Sequence, residues 1–360
     1  MARFHELAIA EIDRQTPESV ALGFDVPEAL RETFAFQPGQ YLTLSTEIDG
    51  EEVRRSYSIC SAPGEARLRV GVKRVADGRF SRFVNEHLGV GDTIRVMPPE
   101  GRFTPKLGGG ARQDYVLIAA GSGITPMLSI AKTVLGHEPR STITLVYGNR
   151  STDTIMFHEE IEDLKDRYLG RFSLIHVLSR EKQDFDLYNG RIDGDRIAEM
   201  VERRLIDVDG ADGVFLCGPG EMIDDVSGRL KALGVPTDKV RFERFTPAGD
   251  AAPRRAPSQQ ARDAAEKGVA VEILLDGVRR TFSVGTAEES VLDAAHRAGI
   301  ELPYSCAGGM CCTCRCRVVE GTAEMAVNYS LEPWEIEAGF TLACQSRPTS
   351  ERLVLDFDAA

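Results

Sequence analysis

The stretch CAGGMCCTCRC, residues 306–316, holds five of the eight cysteines of a 360-residue chain. Four residues separate Cys306 from Cys311, two separate Cys311 from Cys314, and 29 separate Cys314 from Cys344. This C-x4-C-x2-C…C spacing is typical of a plant-type [2Fe–2S] cluster. A two-iron cluster needs four thiolates, so we expect one tight loop to supply three of them and a separate strand to supply Cys344.

Other uses of these cysteines fit the pattern less well. A structural zinc site more often has paired C-x2-C units, and only one such pair is present. Disulfides are disfavoured because the thiols of a cytosolic protein stay reduced. We expect Gly308 and Gly309 to let the backbone wrap closely around the cluster. Cys312 and Cys316 are spare in this scheme and are expected to be small packing residues.

Length and composition limit the class of protein. A chain of 360 residues suggests two to three domains, and 42% apolar with 28% charged residues is typical of a globular protein. No apolar run reaches 18 residues, and the N-terminus lacks the apolar core of a signal peptide. We therefore expect a cytoplasmic protein without a membrane segment. The net charge of −13 disfavours nucleic acid as a partner.

The pattern along the chain predicts three domains and a linker. Short alternating runs punctuated by Gly and Pro fill residues 1–107 and predict an antiparallel β-barrel. Apolar strands alternate with helices over 108–247, which predicts an α/β domain with a parallel sheet. Residues 248–267, rich in Ala, Pro, Gln and Arg, are interpreted as a flexible linker.

The remaining residues, 268–360, predict a compact α+β domain of the β-grasp type. Residues 270–284 are two strands around an Asp-Gly turn, and 340–345 are a closing strand. Thr286 and Glu289 are expected to form a capping box for a helix that ends near Ala298. This domain carries 14 acidic and 7 basic residues. The excess is either a solvated surface or a docking face for a basic partner.

The sequence R-S-Y-S at 55–58 resembles the flavin motif of the ferredoxin–NADP reductase superfamily. The resemblance implies that Arg55 pairs with the FAD pyrophosphate, that Tyr57 packs on the flavin ring, and that Ser58 approaches the ring nitrogen that takes the hydride. Gly78 and Ser81 mark the start of a following helix, whose free N–H groups suit a phosphate. A plain β-strand remains the alternative interpretation of a four-residue motif.

The segment AAGSGITPML, 119–128, looks like the glycine loop under the pyridine nucleotide in this superfamily. Gly121 and Gly123 allow close approach of the backbone, while Thr125 is expected to be the N-cap and Pro126 the first helical residue. A second segment, CGPGEM, supplies further residues that in the family lie beside the nicotinamide. These residues are Cys217, Gly218 and Pro219. Cys217 is alternatively a buried cysteine at a strand end.

The resemblance also assigns the coenzyme contacts. It places Ser179 and Arg180, with Arg150 nearby, around the adenosine 2′-phosphate, and it stacks Tyr188 on the adenine. Cations that pair with a phosphate favour NADPH over NADH. At the end of the second domain, Phe245 resembles the aromatic residue that covers the other flavin face, and Glu243 is expected to support proton handling.

These cofactors together predict an electron-transfer chain. NADPH gives electrons in pairs and a [2Fe–2S] cluster takes them singly, so FAD is needed between them. Residues 301–358 and 147–168 are similar to the family of reductase subunits that serve phenylacetyl-CoA 1,2-epoxidases. That resemblance implies that the acceptor is the di-iron oxygenase component of a multicomponent epoxidase. The alternatives are a ring-hydroxylating dioxygenase or a desaturase as partner, or a non-catalytic redox sensor. HEEIED, 158–163, is similar to a metalloprotease helix without its second histidine.

Overall fold

A computed structural model describes residues 4–109, 112–245 and 255–359. The chain divides into two compact units. The larger unit comprises Phe4–Val53 and Tyr57–Phe245, and the smaller comprises the described residues after 254 together with Arg54–Ser56.

Six antiparallel strands and one helix form the first part of the larger unit. They are β1 His5–Thr16, β2 Ser19–Asp25, β3 Tyr41–Ile48, β4 Glu51–Ser58, β5 Leu68–Lys73, α1 Arg79–Glu86 and β6 Thr93–Val96. The strand order is β4-β3-β6-β1-β2-β5. A bridge between Ile59 and Val70 joins the two ends of this order, so the sheet closes into the predicted barrel.

The antiparallel barrel predicted for residues 1–107 is confirmed. Charged residues are interspersed along β1 and conceal its alternation. Leu7 and Ile9 nevertheless point into the barrel core and are at most 1% exposed. Together with the apolar residues of β2 they bury one face of the strand pair, which is enough to specify its register.

A parallel sheet with helices follows in the same unit. Its elements are β7 Asp114–Ala120, α2 Ile124–His137, β8 Thr142–Asn149, α3 His158–Arg167, β9 Phe172–Leu178, α4 Gly194–Glu202, β10 Gly213–Gly218, α5 Gly220–Ala232 and β11 Val240–Arg244. The five strands are all parallel, as the sequence predicted, and their order is β11-β10-β7-β8-β9.

Alternate residues of β7 show how both faces of this sheet are covered. Leu117 packs in a core with α2 and α3, while Val116 and Ile118 pack in a second core with α4 and α5. The first core also includes Cys60 and Phe103 of the barrel segment. Residues of the barrel segment therefore contribute to one core of the parallel sheet, and the barrel has a further core of its own.

The smaller unit has a mixed five-stranded sheet in the order β13-β12-β18-β14-β16. Its elements are α6 Gln259–Lys267, β12 Val269–Leu275, β13 Val278–Val284, α7 Val291–Arg297, β14 Arg315–Glu320, β15 Ala323–Met325, α8 Pro333–Glu337, β16 Phe340–Leu342, β17 Ser346–Pro348 and β18 Arg352–Asp356. Asp276 and Gly277, both with positive φ, make the predicted hairpin turn. No helix among the described residues is both long and apolar enough to cross a membrane.

Three local predictions about this part of the chain are wrong. Residues 259–267 of the expected linker form α6. Ser258 caps this helix, and two of its alanines, Ala261 and Ala264, are buried on one face of it. The remaining linker residues, 248–254, lie outside the described residues. The helix capping box is formed by Ser290 and Asp293 rather than by Thr286 and Glu289. Finally, strand β16 ends at Leu342, and a turn carries Cys344.

Candidate flavin, nucleotide and cluster sites

The predicted glycine loop lies where the strand order of the parallel sheet changes direction. From β7 the chain continues to β8 and β9 on one side, and then to β10 and β11 on the other. In such sheets ligands bind beyond the carboxyl ends of the two strands at the switch point, here β7 and β10. The turn Gly121–Gly123 follows β7, and β10 ends at Gly218. The two segments predicted to bind the nucleotide are therefore neighbours.

Glycine is required at positions 121 and 123 for different reasons. Gly121 has a φ of +55°, and its carbonyl oxygen accepts a hydrogen bond from Tyr147 Oη at 2.9 Å. A Cβ on Gly123 would lie 2.1 Å from the carbonyl oxygen of Cys217. The absence of a side chain at Gly123 therefore lets α2 begin directly against the end of β10.

The prediction that Thr125 caps this helix, with Pro126 as its first residue, is wrong. Helix α2 begins at Ile124 with Gly123 in the cap position, because a single 3-10 turn precedes it. Thr125 Oγ1 instead donates to the carbonyl oxygen of Ser122 at 3.0 Å. No side chain of the described residues caps α2, so its first turn is open to an anionic ligand.

Cys217 is fully buried at the end of β10. Burial, and next the charge of Glu243, raise the pKa of its thiol well above the ordinary value, so the thiol stays protonated at neutral pH. At Gly218 a Cβ would lie 2.6 Å from Met222 Cε, and Pro219 precedes α5. The segment therefore presents backbone groups, and not a reactive thiolate, to a bound nucleotide. A role for Cys217 in hydride transfer stays a prediction.

The residues predicted to contact the adenosine end come from the adjoining ends of β8 and β9. The Arg180 backbone N–H donates to the Arg150 carbonyl oxygen at 2.7 Å. Both arginines and Ser179 are exposed, and neither arginine has an ion-pair partner in the part of the chain that the structure describes. Tyr188 is partly buried, with its ring edge-on to Phe185 at 5.0 Å. The structure thus groups the predicted phosphate ligands.

Lys73 is a candidate ligand that the sequence reasoning missed. It ends β5, and its Nζ lies 3.7 Å from the position of a Cβ built on Gly121. Burial, and next the positive charge of Arg150, lower the pKa of Lys73. Two cations therefore converge beside the glycine loop, which suits the phosphates of a dinucleotide. The Lys-Arg pair that closes RLRVGVKR, residues 67–74, is the signal that could have indicated it.

The predicted flavin residues lie on β4 and at the start of α1. Arg55 is exposed, Tyr57 is partly buried and Ser58 is buried. The Tyr57 ring lies 5.8 Å from the ring of Phe80, which anchors α1 in the barrel core. The structure therefore brings the R-x-Y-S strand and the predicted phosphate-binding helix together.

Gly78 and Ser81 shape the first turn of α1. Gly78 is its N-cap residue without a side-chain cap, and a Cβ there would lie 2.3 Å from Val75 Cγ2. Ser81 Oγ accepts from the Val75 N–H and donates to the Gly78 carbonyl oxygen, each at 3.2 Å. The prediction that these residues mark the helix start is confirmed, and the uncapped turn suits a pyrophosphate.

Ser58 and Glu243 form a pair that joins the barrel to the last strand of the parallel sheet. Ser58 Oγ donates to Glu243 Oε2 at 2.7 Å. Burial raises the pKa of Glu243 to about 7, and the hydrogen bond from Ser58 opposes that rise. A carboxyl group poised near neutral pH can both hold and release a proton. Phe245, two residues on, is partly buried against the core shared with Cys60.

The four predicted cluster ligands converge as two pairs of thiols. The Cys306 and Cys311 side chains are hydrogen-bonded to each other, and so are those of Cys314 and Cys344. Two thiolates for each of two irons is the donor set of a [2Fe–2S] cluster. The residues present therefore fit the group, and the prediction of these ligands is supported by their geometry.

Within the Cys306–Cys311 pair the loop favours the thiolate at Cys306, while the pKa of its partner Cys311 is raised well above the ordinary value. The hydrogen bond from Cys311, followed by backbone N–H groups, lowers the pKa of Cys306 to about 5. The Gly308 and Met310 N–H groups lie 3.3 and 3.4 Å from its sulfur. Gly309 has a φ of +79° and packs closely against Val327. A Cβ on Gly309 would lie 3.2 Å from the carbonyl oxygen of Val327.

The two spare cysteines differ in environment. Cys316 is fully buried on β14 in the core of the smaller unit, where it packs as predicted. Cys312 is only partly buried and has a φ of +59°, an uncommon conformation for a residue with a side chain. The backbone therefore adopts a left-handed conformation at Cys312, between the predicted ligands Cys311 and Cys314.

Three families match successive parts of the chain. Residues 7–104 match an oxidoreductase FAD-binding domain, residues 117–228 an oxidoreductase NAD-binding domain, and residues 273–349 a 2Fe-2S iron-sulfur cluster binding domain. These ranges contain the barrel, the parallel sheet and the cysteine loop described above. The cofactor classes predicted from the sequence, FAD, a pyridine nucleotide and [2Fe–2S], are thereby confirmed.

Relatives align with the chain along nearly its whole length. The chain is 44% identical to a subunit of the 1,2-phenylacetyl-CoA epoxidase of Escherichia coli, over 100% of this chain and 99% of the relative. It is 35% identical to the ferredoxin reductase component of 3-ketosteroid-9-alpha-monooxygenase of Rhodococcus rhodochrous, over 98% and 96% of the two chains. Phthalate dioxygenase reductase, a solved structure, shares the fold with a TM-score of 0.60 and 24% identity over 98% of each chain.

Proposed function

Since this chain belongs to the family of NAD(P)H-dependent flavin and iron–sulfur reductases that includes a subunit of 1,2-phenylacetyl-CoA epoxidase, we propose that it delivers electrons from NADPH to the di-iron oxygenase component of such an epoxidase. The observation that carries the proposal is the 44% identity to the Escherichia coli subunit over the whole chain. When bound, FAD accepts a hydride from the nicotinamide and passes electrons singly to the [2Fe–2S] cluster.

The chain's own residues would bind and orient these groups. Arg55 and the uncapped first turn of α1 hold the FAD pyrophosphate, and Tyr57 packs on the flavin ring. On the nucleotide side, the first turn of α2 and Lys73 hold the pyrophosphate. Cys306, Cys311, Cys314 and Cys344 hold the cluster.

The Ser58–Glu243 pair is proposed to handle the proton. With a pKa of about 7, Glu243 exists in both protonation states at neutral pH. The 2.7 Å hydrogen bond fixes its carboxylate against the Ser58 hydroxyl. We propose that this carboxylate takes up the proton that is released when electrons leave the flavin.

NADPH is proposed as the preferred coenzyme over NADH. The support is electrostatic, because neither Arg150 nor Arg180 has an ion-pair partner among the described residues, and Lys73 adds a third positive charge nearby. A 2′-phosphate bound by a guanidinium is stabilised by about 1.5–3 kcal/mol, or about 10- to 150-fold in affinity. We expect Arg180→Ala to lower kcat/KM for NADPH by at least tenfold and to leave that for NADH nearly unchanged.

The control for this test is Arg112→Ala, because Arg112 is exposed and pairs with Asp114 at the amino end of β7, opposite the end at which the glycine loop lies. Steady-state kinetics with a dye acceptor and each coenzyme give the two kcat/KM values. An equal loss for both coenzymes in Arg180→Ala would contradict a specific contact with the 2′-phosphate.

The acceptor is tested by reconstitution. The holoprotein is combined with NADPH, oxygen, phenylacetyl-CoA and the oxygenase component of the epoxidase, and loss of the thioester substrate is followed by mass spectrometry. Epoxide formation coupled to NADPH oxidation supports the proposal. Dye reduction without epoxide would show a functional reductase with another acceptor, such as a ring-hydroxylating dioxygenase or a desaturase. Failure to reduce the dye would instead favour the redox-sensor alternative.

Two further assignments complete the proposal. We place the protein in the cytoplasm, where the cluster thiols remain reduced before assembly. We also propose domain boundaries at 1–107, 108–247 and 268–360, which limited proteolysis of the holoprotein would test by cleavage within the segment 248–258.

A further inference from the structure

Three side chains on the outer edge of the parallel sheet form a cluster that the redox function does not use. His158 and Glu162 lie one turn apart on α3, and His176 lies on the edge strand β9. Their potential ligand atoms all lie within 4.8 Å of one another. Glu162 Oε1 is 3.7 Å from His176 Nε2, and the two imidazole rings are 5.9 Å apart.

The cluster explains the HEEIED segment. In a metalloprotease helix a second histidine follows the first by four residues. Here Glu162 occupies that position, and the second imidazole comes from His176 on a different element. Glu159, which would have to act as the general base, is exposed. The arrangement is therefore a ligand set without the catalytic part of the protease motif.

His176 lacks the hydrogen bonds that a buried imidazole normally has. Both of its ring nitrogens are inaccessible to solvent and have no hydrogen-bond partner among the residues that the structure describes. Leaving a buried polar atom unpaired costs about 1–3 kcal/mol, so such atoms usually serve another purpose. A ring nitrogen without a hydrogen-bond partner is the atom through which an imidazole binds a metal.

We propose that His158, Glu162 and His176 bind a zinc-class divalent cation, with water as the fourth ligand. Two imidazoles and a carboxylate are a ligand set that zinc uses, at about 2.0–2.2 Å from each ligand atom. Tetrahedral ligands at that distance are about 3.4 Å apart, so small side-chain rotations would close the present set. Lys165 contacts the other oxygen of Glu162, at 3.2 Å, which leaves Oε1 for the metal.

The place of the site in the fold indicates its effect. It joins α3 to β9, which has a neighbouring strand on one side only in the described sheet. β9 ends at Leu178, directly before the predicted phosphate ligands Ser179 and Arg180. A metal at this position would hold the edge strand against the helix. We therefore expect zinc to raise the thermal stability of the protein without being required for electron transfer.

The test is equilibrium dialysis of the flavin- and iron-loaded protein against buffered zinc, with zinc, iron and flavin measured per chain. We expect one zinc per chain with no loss of iron, and a rise in melting temperature. Glu162→Gln, which preserves the shape of the side chain, and His176→Asn should each lower the zinc affinity at least tenfold. His87→Asn, an exposed histidine outside the cluster, is the matched control.

Two outcomes would overturn the inference. Absence of bound zinc in the unsubstituted protein would show that the cluster is only a contact between side chains. Zinc binding of equal affinity in Glu162→Gln would place the ion elsewhere. Because the readout is metal content, neither result depends on the identity of the electron acceptor. If His176→Asn fails to fold, Glu162→Gln still decides the question.

Discussion

The Ser58–Glu243 pair makes a quantitative prediction about the pH dependence of turnover. Glu243 has a pKa of about 7, and the Ser58 hydroxyl lowers it from a still higher value through a 2.7 Å hydrogen bond. A hydrogen bond to an ionised group contributes about 1.5–3 kcal/mol. Because Glu243 is partly exposed, we take the lower end, which corresponds to about one pKa unit. Ser58→Ala should therefore raise the pKa of Glu243 further above its ordinary value.

The sign of the effect follows from the proposed role of Glu243. Its carboxylate takes up a proton, so turnover should fall as the pH drops through the pKa and the carboxylate is lost. In the unsubstituted protein we expect the midpoint near pH 7. In Ser58→Ala the midpoint should move upward by about one unit. Glu243→Gln should remove the transition and leave a low, flat profile.

The assay is dye reduction at saturating NADPH from about pH 5.5 to 9.5, a range that brackets both midpoints. Ser173→Ala, on the exposed surface of the edge strand β9, serves as the control and should keep the midpoint of the unsubstituted protein. A midpoint that moves downward in Ser58→Ala, or a transition that survives in Glu243→Gln, would refute the reasoning.

Three further predictions follow from other parts of the structure. Cys314→Ser removes one ligand of a thiol pair, so NADPH-dependent dye reduction should survive while transfer to the oxygenase falls to background; loss of both would mean that the cluster domain is needed for folding. Gly123→Ala places a Cβ 2.1 Å from the Cys217 carbonyl oxygen and should lower kcat/KM for NADPH at least tenfold. Its control is Gly136→Ala in α2, where a Cβ meets no neighbouring atom. That variant should raise the free energy of unfolding by up to about 1 kcal/mol, measured by thermal unfolding. The acidic cluster domain should make transfer to the oxygenase weaken as salt rises above about 0.1 M, where the Debye length falls below about 10 Å; a salt-independent rate in stopped-flow measurements would indicate apolar docking.

Several errors made from the sequence concern helices. The starts of α2 and α7 were misplaced because several residues in each segment can cap a helix, and packing selects among them. For α7 the selected cap is Ser290, and for α2 the start is set by the contact of Gly123 with Cys217. The helix 259–267 was missed because its buried face consists of two alanines, which give little apolar signal.

Features that depend on neighbouring residues could be predicted from the sequence. The spacing of Cys306, Cys311 and Cys314 predicts a cluster loop because all three lie in one short segment. The alternation of strands with helices predicts a parallel sheet because each strand and each helix has its own local periodicity. Contacts between distant groups became visible only in the three-dimensional fold. Ser58 reaches Glu243 across 185 residues of sequence, Lys73 reaches the glycine loop, and His176 reaches α3. Such pairs depend on the folding of separate elements around a shared core, and their altered pKa values arise from the burial that this core imposes.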